Sequence, residues 1–473
     1  MPRWTNKAKD MIRGERSQMS SSAIDPMSIS EVLPMRPPNG PAHLPRMIRV
    51  GNVLCPAAPN SFDETGVADS TLTDLTTKLS NTVPRLSSDS ASEQLKLPVQ
   101  LVEKIIWRLK DEQLVEILGS DEFMSYRYST SQRGIDHARR LLEMSGYIGP
   151  APVTLEQYAA MLEWQVQQVA PVDYDAVKAA LAPLVLAPEC IDVAALAASS
   201  GRSLFLFGPP GNGKTTLGRL LHNSVEGELW IPHCIAIDSH IIRIFDRQVH
   251  EPISGYEHDP RIDQRWVRIK RPMIVTGGEM TMQELDLAYS PTLRFYEAPP
   301  HVKANGGTFL LDDFGRQQMD PADLLNRWII PLEQQFDHLT LNTGQKIRVP
   351  FRLLLVVATN LKVSDVADPA FLRRMGYRLH IDKPTPQRYV EIFRRYAAGA
   401  GAPPVDPALL EKLIERYGQE GRELRSSEPR DLVERVRDIC RLRNEPLEVT
   451  QRNLDLAWSA YFGDTAARAQ VPS

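Results

Sequence analysis

The chain has 473 residues, 42% of them hydrophobic and 24% charged, with a formal net charge of −4. That length exceeds what one core organises, so two or three domains are expected, and the near-balanced charge gives no global pull toward nucleic acid or an anionic membrane. No apolar run reaches the roughly 18 residues of a membrane span, the first residues lack the apolar stretch expected of a secretory signal, and Cys55, Cys190, Cys234 and Cys440 are scattered, against a zinc or disulfide framework and in keeping with an expected cytoplasmic location.

Residues 1–65 are rich in Pro, Ser, Asn and Met without sustained periodicity and are expected to be disordered or extended. Within them Trp4, Met11 and Ile12 suit either a short docking helix or a solvated tail. Residues 66–146 form a compact pattern. Leu72, Leu75 and Leu79 recur at helical spacing, and Val99, Val102, Ile105, Ile106 and Leu109 mark one face of a second helix. A strand pair around Leu114–Ile117 and Tyr126–Ser129 follows, then a helix from about Ser131 to Met144. Helices with a two-stranded wing resemble a winged-helix domain. This stretch holds ten Lys/Arg against twelve Asp/Glu, where a DNA reader needs a basic face; a protein partner is favoured over DNA.

Residues 147–153, with Gly149, Pro150 and Pro152, read as a linker. Thr154 and Gln157 then have the spacing of a capping box. An α/β segment is expected over 154–383 and helices over 384–463, each opened by an N-terminal proline signal: Thr385-Pro386, Asp406-Pro407 and Ser427-Glu428-Pro429. Residues 464–473 are expected to be a tail.

The most specific feature is Gly208-Pro209-Pro210-Gly211-Asn212-Gly213-Lys214-Thr215-Thr216, a gapless G-x-x-x-x-G-K-[ST]. It follows the apolar run Leu204–Phe207 and precedes a helical pattern, the strand–loop–helix context this motif requires. Such a loop turns backbone N–H groups inward on phosphate oxygens, and the helix N-terminus adds partial positive charge. Lys214 can reach the β- and γ-phosphates of ATP, and Thr215 can ligate Mg²⁺.

Downstream, Thr308–Leu311 is an apolar strand ending in Asp312 and Asp313. One carboxylate at such an end can hold Mg²⁺ and the next can polarise the attacking water. We assign these roles to Asp312 and Asp313 respectively. A second apolar strand, Leu353–Thr359, ends in Asn360, placed to orient that water. Arg373 and Arg374 follow a short Asp368–Leu372 segment and can project toward the γ-phosphate of a neighbouring subunit; Arg378 is a rival for that role.

In this order the residues resemble the AAA+ ATPases, over roughly 155–463. The resemblance implies Walker A (Gly208 to Thr215), Walker B (Asp312, Asp313), sensor 1 (Asn360), an arginine finger (Arg373, Arg374) and sensor 2 (Arg430). Relatives mostly carry Glu where this chain has Asp313, one methylene shorter, which leaves room for slow hydrolysis. Ala304–Asp313, Leu324–Glu333 and a hairpin expected near Leu339–Pro350 look like MoxR-type ATPases and the clade with a helix-2 insert. The layout also looks like uncharacterised bacterial ATPases with predicted chaperone activity. The resemblance implies a parallel-sheet P-loop core with a helical lid, a homo-oligomeric ring of hexamer size and a protein client. Trp266–Gly278 is expected to be an additional hairpin, and Phe295 and Tyr296 are either pore aromatics or packed residues.

Overall fold

The computed structural model describes residues 41–120, 126–225, 227–361 and 369–463. Its centre is a five-stranded sheet: β1 (Leu204–Phe207), β2 (Met273–Thr276), β3 (Thr308–Leu311), β4 (Leu354–Thr359) and β5 (Tyr377–His380), in the order β2-β3-β4-β1-β5. Every neighbouring pair is parallel. β3 and β4 are buried along their whole length, as parallel strands covered on both faces must be, and that explains their unbroken apolar runs. The register pairs Leu311 with Val357 and Thr359 with Phe207. Gly208, Asp312 and Asn360 therefore leave the sheet at one carboxyl edge, where ligands of open α/β sheets bind.

Helix α1 (Lys214–His222) begins directly after the glycine loop and buries Leu217 and Leu221 against this sheet. Helix α2 (Pro321–Gln334) covers the other face through Leu324, Leu325 and Trp328. Beyond the sheet lie α3 (Pro386–Gly399), α4 (Pro407–Gln419), α5 (Glu428–Leu442) and α6 (Gln451–Phe462). Thr385 caps α3 by accepting from the Arg388 N–H, and Asp406 caps α4 by accepting from Ala408, the role short polar side chains take at an N-cap. Their shared core holds Tyr389, Phe393, Leu410, Tyr417, Leu432 and Trp458. The α/β class with a helical C-terminal unit, expected from the sequence, is the class observed.

The long interval between α1 and β2 is not a simple hairpin. Trp266–Lys270 pairs antiparallel with Glu228–Pro232, while Met273–Thr276 joins the central sheet. The expected Trp266–Gly278 hairpin is thereby corrected: Arg271 and Pro272 separate two strands that serve different sheets. A second five-stranded sheet runs in the order Ala288–Tyr289, Tyr296–Glu297, His240–Arg243, Cys234–Ile237, Val153–Thr154. Phe295 and Tyr296 are both buried; the Phe295 ring meets Tyr147 edge-on, and the Tyr296 hydroxyl reaches Asn342. They are packed residues, not pore aromatics. The hairpin expected before β4 forms from Phe336–Thr340 and Lys346–Pro350.

The N-terminal part differs from its reading as a loose segment. Met47–Val50 and Val53–Pro56 form an antiparallel hairpin. Its Met47, Val50 and Cys55 are buried with Leu229, Trp230, Trp266 and Ile347. Aperiodic composition hid this because the hairpin strands are only four residues each, too short for a periodic signal. Residues 1–40, including Trp4, Met11 and Ile12, lie outside the described residues, as do 464–473. The stretch read as a linker is also built in. Val153 and Thr154 pair in parallel with Ile235 and Ala236, and the Thr154–Gln157 capping box is present. Buried Arg265, paired with Asp263 at 2.8 Å, donates to the carbonyls of Thr65 and Pro152 and ties these segments to the insertion.

Residues 69–144 contain helices Asp69–Thr82, Ser88–Leu95, Val99–Asp111 and Gln132–Met144. A three-stranded sheet accompanies them, with Tyr126–Thr130 between Leu86–Ser87 and Val115–Ser120. This unit shares its apolar core with Cys234 and Ile241 of the second sheet and with Phe295, the residue before its strand Tyr296–Glu297. No helix of the described residues is long and apolar enough to cross a membrane.

Candidate functional site

The glycine loop joins β1 to α1 through conformations that side chains resist. Gly208 has φ +137°, and a Cβ there would sit 2.2 Å from the Ile381 carbonyl oxygen. Gly213, at φ +83°, occupies the N-cap of α1. Both positions need a residue without a Cβ. Lys214 follows at the first turn of the helix and is 6% exposed. Its Nζ donates to the carbonyls of Gly208 (2.9 Å) and Pro209 (2.8 Å). Burial lowers its pKa, while Asp313 and Asp312 oppose the shift.

The loop opens on a cavity of ≈600 Å³, within the range of small-molecule sites, about 300–1,000 Å³. Gly211 to Thr216, Asp312, Asp313 and Asn360 line it from the sheet side, and Ser426, Ser427 and Arg430, around the start of α5, line it from the helical unit. Thr215 Oγ1 donates to Asp312 Oδ1 at 2.7 Å. Asn360 Nδ2 donates to Asp313 Oδ1 at 2.8 Å. Asp313 has φ +48°, a left-handed conformation uncommon for a residue other than glycine, and its N–H donates to Asp312 Oδ1 at 3.0 Å. The two carboxylates therefore stand at one edge with different partners. Asp312 faces the helix hydroxyl, and Asp313 is held by the amide at the end of β4.

Two backbone N–H groups fasten the loop to the helical unit. The Ser427 N–H donates to the Gly211 carbonyl at 2.8 Å, and the Ser426 N–H to Asn212 Oδ1 at 3.1 Å. A Cβ on Gly211 would lie 2.9 Å from Ser427 Oγ, so the two elements approach as closely as glycine permits. Arg430 lines the cavity and is paired with its neighbour Asp431 at 3.0 Å.

The structure thus brings together Gly211 to Thr216, Asp312, Asp313, Asn360 and Arg430. Gly208, Pro209 and Pro210 shape the loop without lining the cavity. Arg373 and Arg374 do not line it either. Arg374 Nε contacts Glu333 of α2 at 3.1 Å, and Arg373 and Arg378 are exposed.

Sequence reasoning passed over part of the lining. Leu184, Val185, Leu186, Ile381 and Ile392 give the cavity an apolar side. Arg388, Arg395 and Tyr396 project to it from α3. The signal was present as the apolar run between Pro183 and Pro188, but only the fold sets it beside the glycine loop. An apolar wall next to oriented N–H groups and cations fits a nucleotide, base on one side and phosphates on the other. The adjacent Thr215 hydroxyl and Asp312 carboxylate form an all-oxygen pair suited to a hard cation such as Mg²⁺.

A family model described as "Domain of unknown function (DUF8689)" matches residues 385–460. No curated protein matches the chain. Among solved structures, NtrX from Brucella abortus in complex with ADP aligns at 16% identity and TM-score 0.38, over 63% of this chain and 59% of that one. The Thermotoga maritima RuvB Holliday junction branch migration motor aligns at 14% identity and TM-score 0.35, over 58% of this chain and 70% of that one. The chain therefore spans less than two thirds of the NtrX chain's length. Likenesses of this size do not extend to substrate, partner or assembly.

Proposed function

We propose that this chain is an AAA+-type ATPase of the cytoplasm. It binds ATP with Mg²⁺ in the cavity between the central sheet and the helical unit, hydrolyses it in a homo-oligomeric ring of hexamer size, and uses the cycle to remodel a protein partner. The observation that carries this reading is the convergence of Lys214, the Thr215–Asp312 pair at 2.7 Å and the Asn360-held Asp313 on one cavity.

In this reading Lys214 leaves its loop carbonyls to meet the phosphates. Thr215 and Asp312 would hold the cation, which when bound would supply charge neutralisation at the phosphoryl oxygens. Asp313 accepts a proton from the attacking water, and Asn360 positions that carboxylate. Arg430 reads the nucleotide from the helical unit. The Gly211–Ser427 and Asn212–Ser426 contacts pass changes at the loop to α5, a hinge-type motion. Arg373, exposed and away from its own chain's cavity, is offered to a neighbouring subunit. Arg374, tied to α2 through Glu333, holds the segment that presents it. Residues 69–144 would recruit the partner.

The test is steady-state ATP turnover across protein concentration, with Lys214→Ala and the double variant Arg373→Ala/Arg374→Ala alongside. Turnover that rises with concentration and is lost in both variants supports the reading; concentration-independent turnover would sink the ring.

A second reading is an ATP-responsive switch, or a DNA-binding regulator, that hydrolyses slowly. It is favoured by the short carboxylate of Asp313, held by Asn360 in a left-handed conformation. It predicts tight nucleotide binding with negligible turnover and, for the regulator, duplex binding that weakens steeply with salt.

A further inference from the structure

Asp313 keeps a left-handed backbone, φ +48°, in which a residue with a Cβ persists only where its surroundings hold it. Asn360 holds its carboxylate. Its backbone is held by Gln317, a residue 9% exposed that does not line the nucleotide cavity. Gln317 Nε2 donates to the Asp312 carbonyl at 3.1 Å and, at 3.4 Å each, to the carbonyls of Asp313 and Gly277. Its Oε1 accepts from the Gly315 N–H at 2.8 Å. One side-chain amide thus spans the turn from Asp312 to Gly315 and ties it to the residue that follows β2.

An amide suits these partners chemically. The carbonyls need a donor and the Gly315 N–H needs an acceptor, and one planar amide supplies both. A carboxylate brings no donor, an ammonium no acceptor, and a hydrocarbon neither. The residues on either side of Asp313 are anchored separately: the Asp312 N–H donates to the Thr276 carbonyl at 2.8 Å, and the Phe314 N–H to the Ala358 carbonyl at 2.8 Å. The contacts of Gln317 fall on the peptide groups around Asp313 itself. An aspartate reaches one methylene less far than a glutamate, so its backbone has the larger say in where its carboxylate stands. A displacement of about 1 Å at a reacting group can cost about a hundredfold in rate.

We propose that Gln317 is a positioning residue for ATP hydrolysis. Its amide locks the turn 312–315 so that the Asp313 carboxylate stands where it accepts the proton of the attacking water. Gln317 itself touches neither nucleotide nor water. The inference rests on the reading of Asp313 as that acceptor, and adds that the short carboxylate works through a backbone conformation that Gln317 maintains.

The experiment compares the full chain with Gln317→Met, Asp313→Asn and the double variant, reading kcat, ATP affinity and unfolding temperature. Gln317→Met keeps the side chain's length and removes both halves of the amide. Its kcat should fall about tenfold or more, with ATP affinity within about twofold of wild type. Residues that act as a unit are not additive, so adding Gln317→Met to Asp313→Asn should lower the residual rate by less than about twofold. A purely structural role would not produce that result. If Gln317→Met fails to fold, Gln317→Asn, which keeps an amide but withdraws it by one methylene, should show the same split between kcat and affinity. Full turnover in a folded Gln317→Met, an equal loss of ATP affinity, or a further tenfold loss on the Asp313→Asn background would each overturn the inference while leaving Asp313 as the acceptor. Wild-type turnover by Asp313→Asn, or negligible turnover by the wild type, would instead refute the reading of Asp313 and the inference with it.

Discussion

Thr215→Val separates cation binding from everything else the glycine loop does. The substitution keeps the shape of the side chain and removes one oxygen, the Oγ1 that lies 2.7 Å from Asp312 Oδ1. Thr215 and Asp312 are both half-buried, so water can rehydrate the carboxylate. The cost to folding is therefore expected below about 1 kcal/mol, under the roughly 1.5–3 kcal/mol of a bond to a charged group that water cannot replace. Its cost to cation binding is larger under the proposed reading, in which the hydroxyl and the Asp312 carboxylate would hold the cation together. Taking about 2 kcal/mol for a lost contact to a charge gives roughly a 30-fold weaker dependence on Mg²⁺. The assay is ATP turnover against Mg²⁺ concentration, with nucleotide affinity measured separately in EDTA. The half-saturating Mg²⁺ should rise by roughly that factor, affinity in EDTA should be unchanged, and Thr215→Ser should restore most of the loss. Equal weakening with and without Mg²⁺ would refute the assignment of Thr215 and Asp312 to the cation.

Asn360→Ala removes the amide that holds Asp313; kcat should fall about tenfold or more, the scale of one positioned contact, with nucleotide affinity preserved, and a matching loss of affinity would contradict a positioning role. Asp337→Asn disrupts a buried cluster in which the carboxylate meets His301 at 2.9 Å and Arg327; the chain should lose about 3–5 kcal/mol, read by urea unfolding, and a change below about 1 kcal/mol would mean the cluster is hydrated. His233 is held neutral by burial, with its pKa lowered from 6.5 to about 4. A depressed folded value means the unfolded state binds the proton first, so this stability is present above about pH 6.5 and is lost as pH falls toward about 4. At pH 5 the loss is about 2 kcal/mol, and wild type minus His233→Phe in urea unfolding at pH 7 and 5 should show it; parallel curves for the two proteins would count against it.

The sequence by itself determined which residues make up the candidate site's loop and strand ends. Gly208 to Thr216 is legible because phosphate binding demands glycines, a lysine and a hydroxyl at fixed local spacing, and Asp312 and Asn360 because each ends an unbroken apolar run that only a buried parallel strand explains. The helices of the C-terminal unit were legible from Thr385, Asp406 and the prolines after them, since capping is a local interaction. Tertiary structure decided what depends on contacts distant in the chain. The hairpin at Met47–Pro56 is invisible by periodicity because its stability comes from Trp230, Trp266 and Ile347, far along the sequence. Trp266–Lys270 and Met273–Thr276 are both strand-like, but pairing with Glu228–Pro232 and with Thr308–Leu311 sends them to different sheets. The apolar wall at Leu184–Leu186, the arginines of α3 and the grip of Ser427 on Gly211 exist only once the helical unit closes over the carboxyl edge of the sheet. Local rules fix which residues can do chemistry; the packing of remote segments fixes what surrounds them.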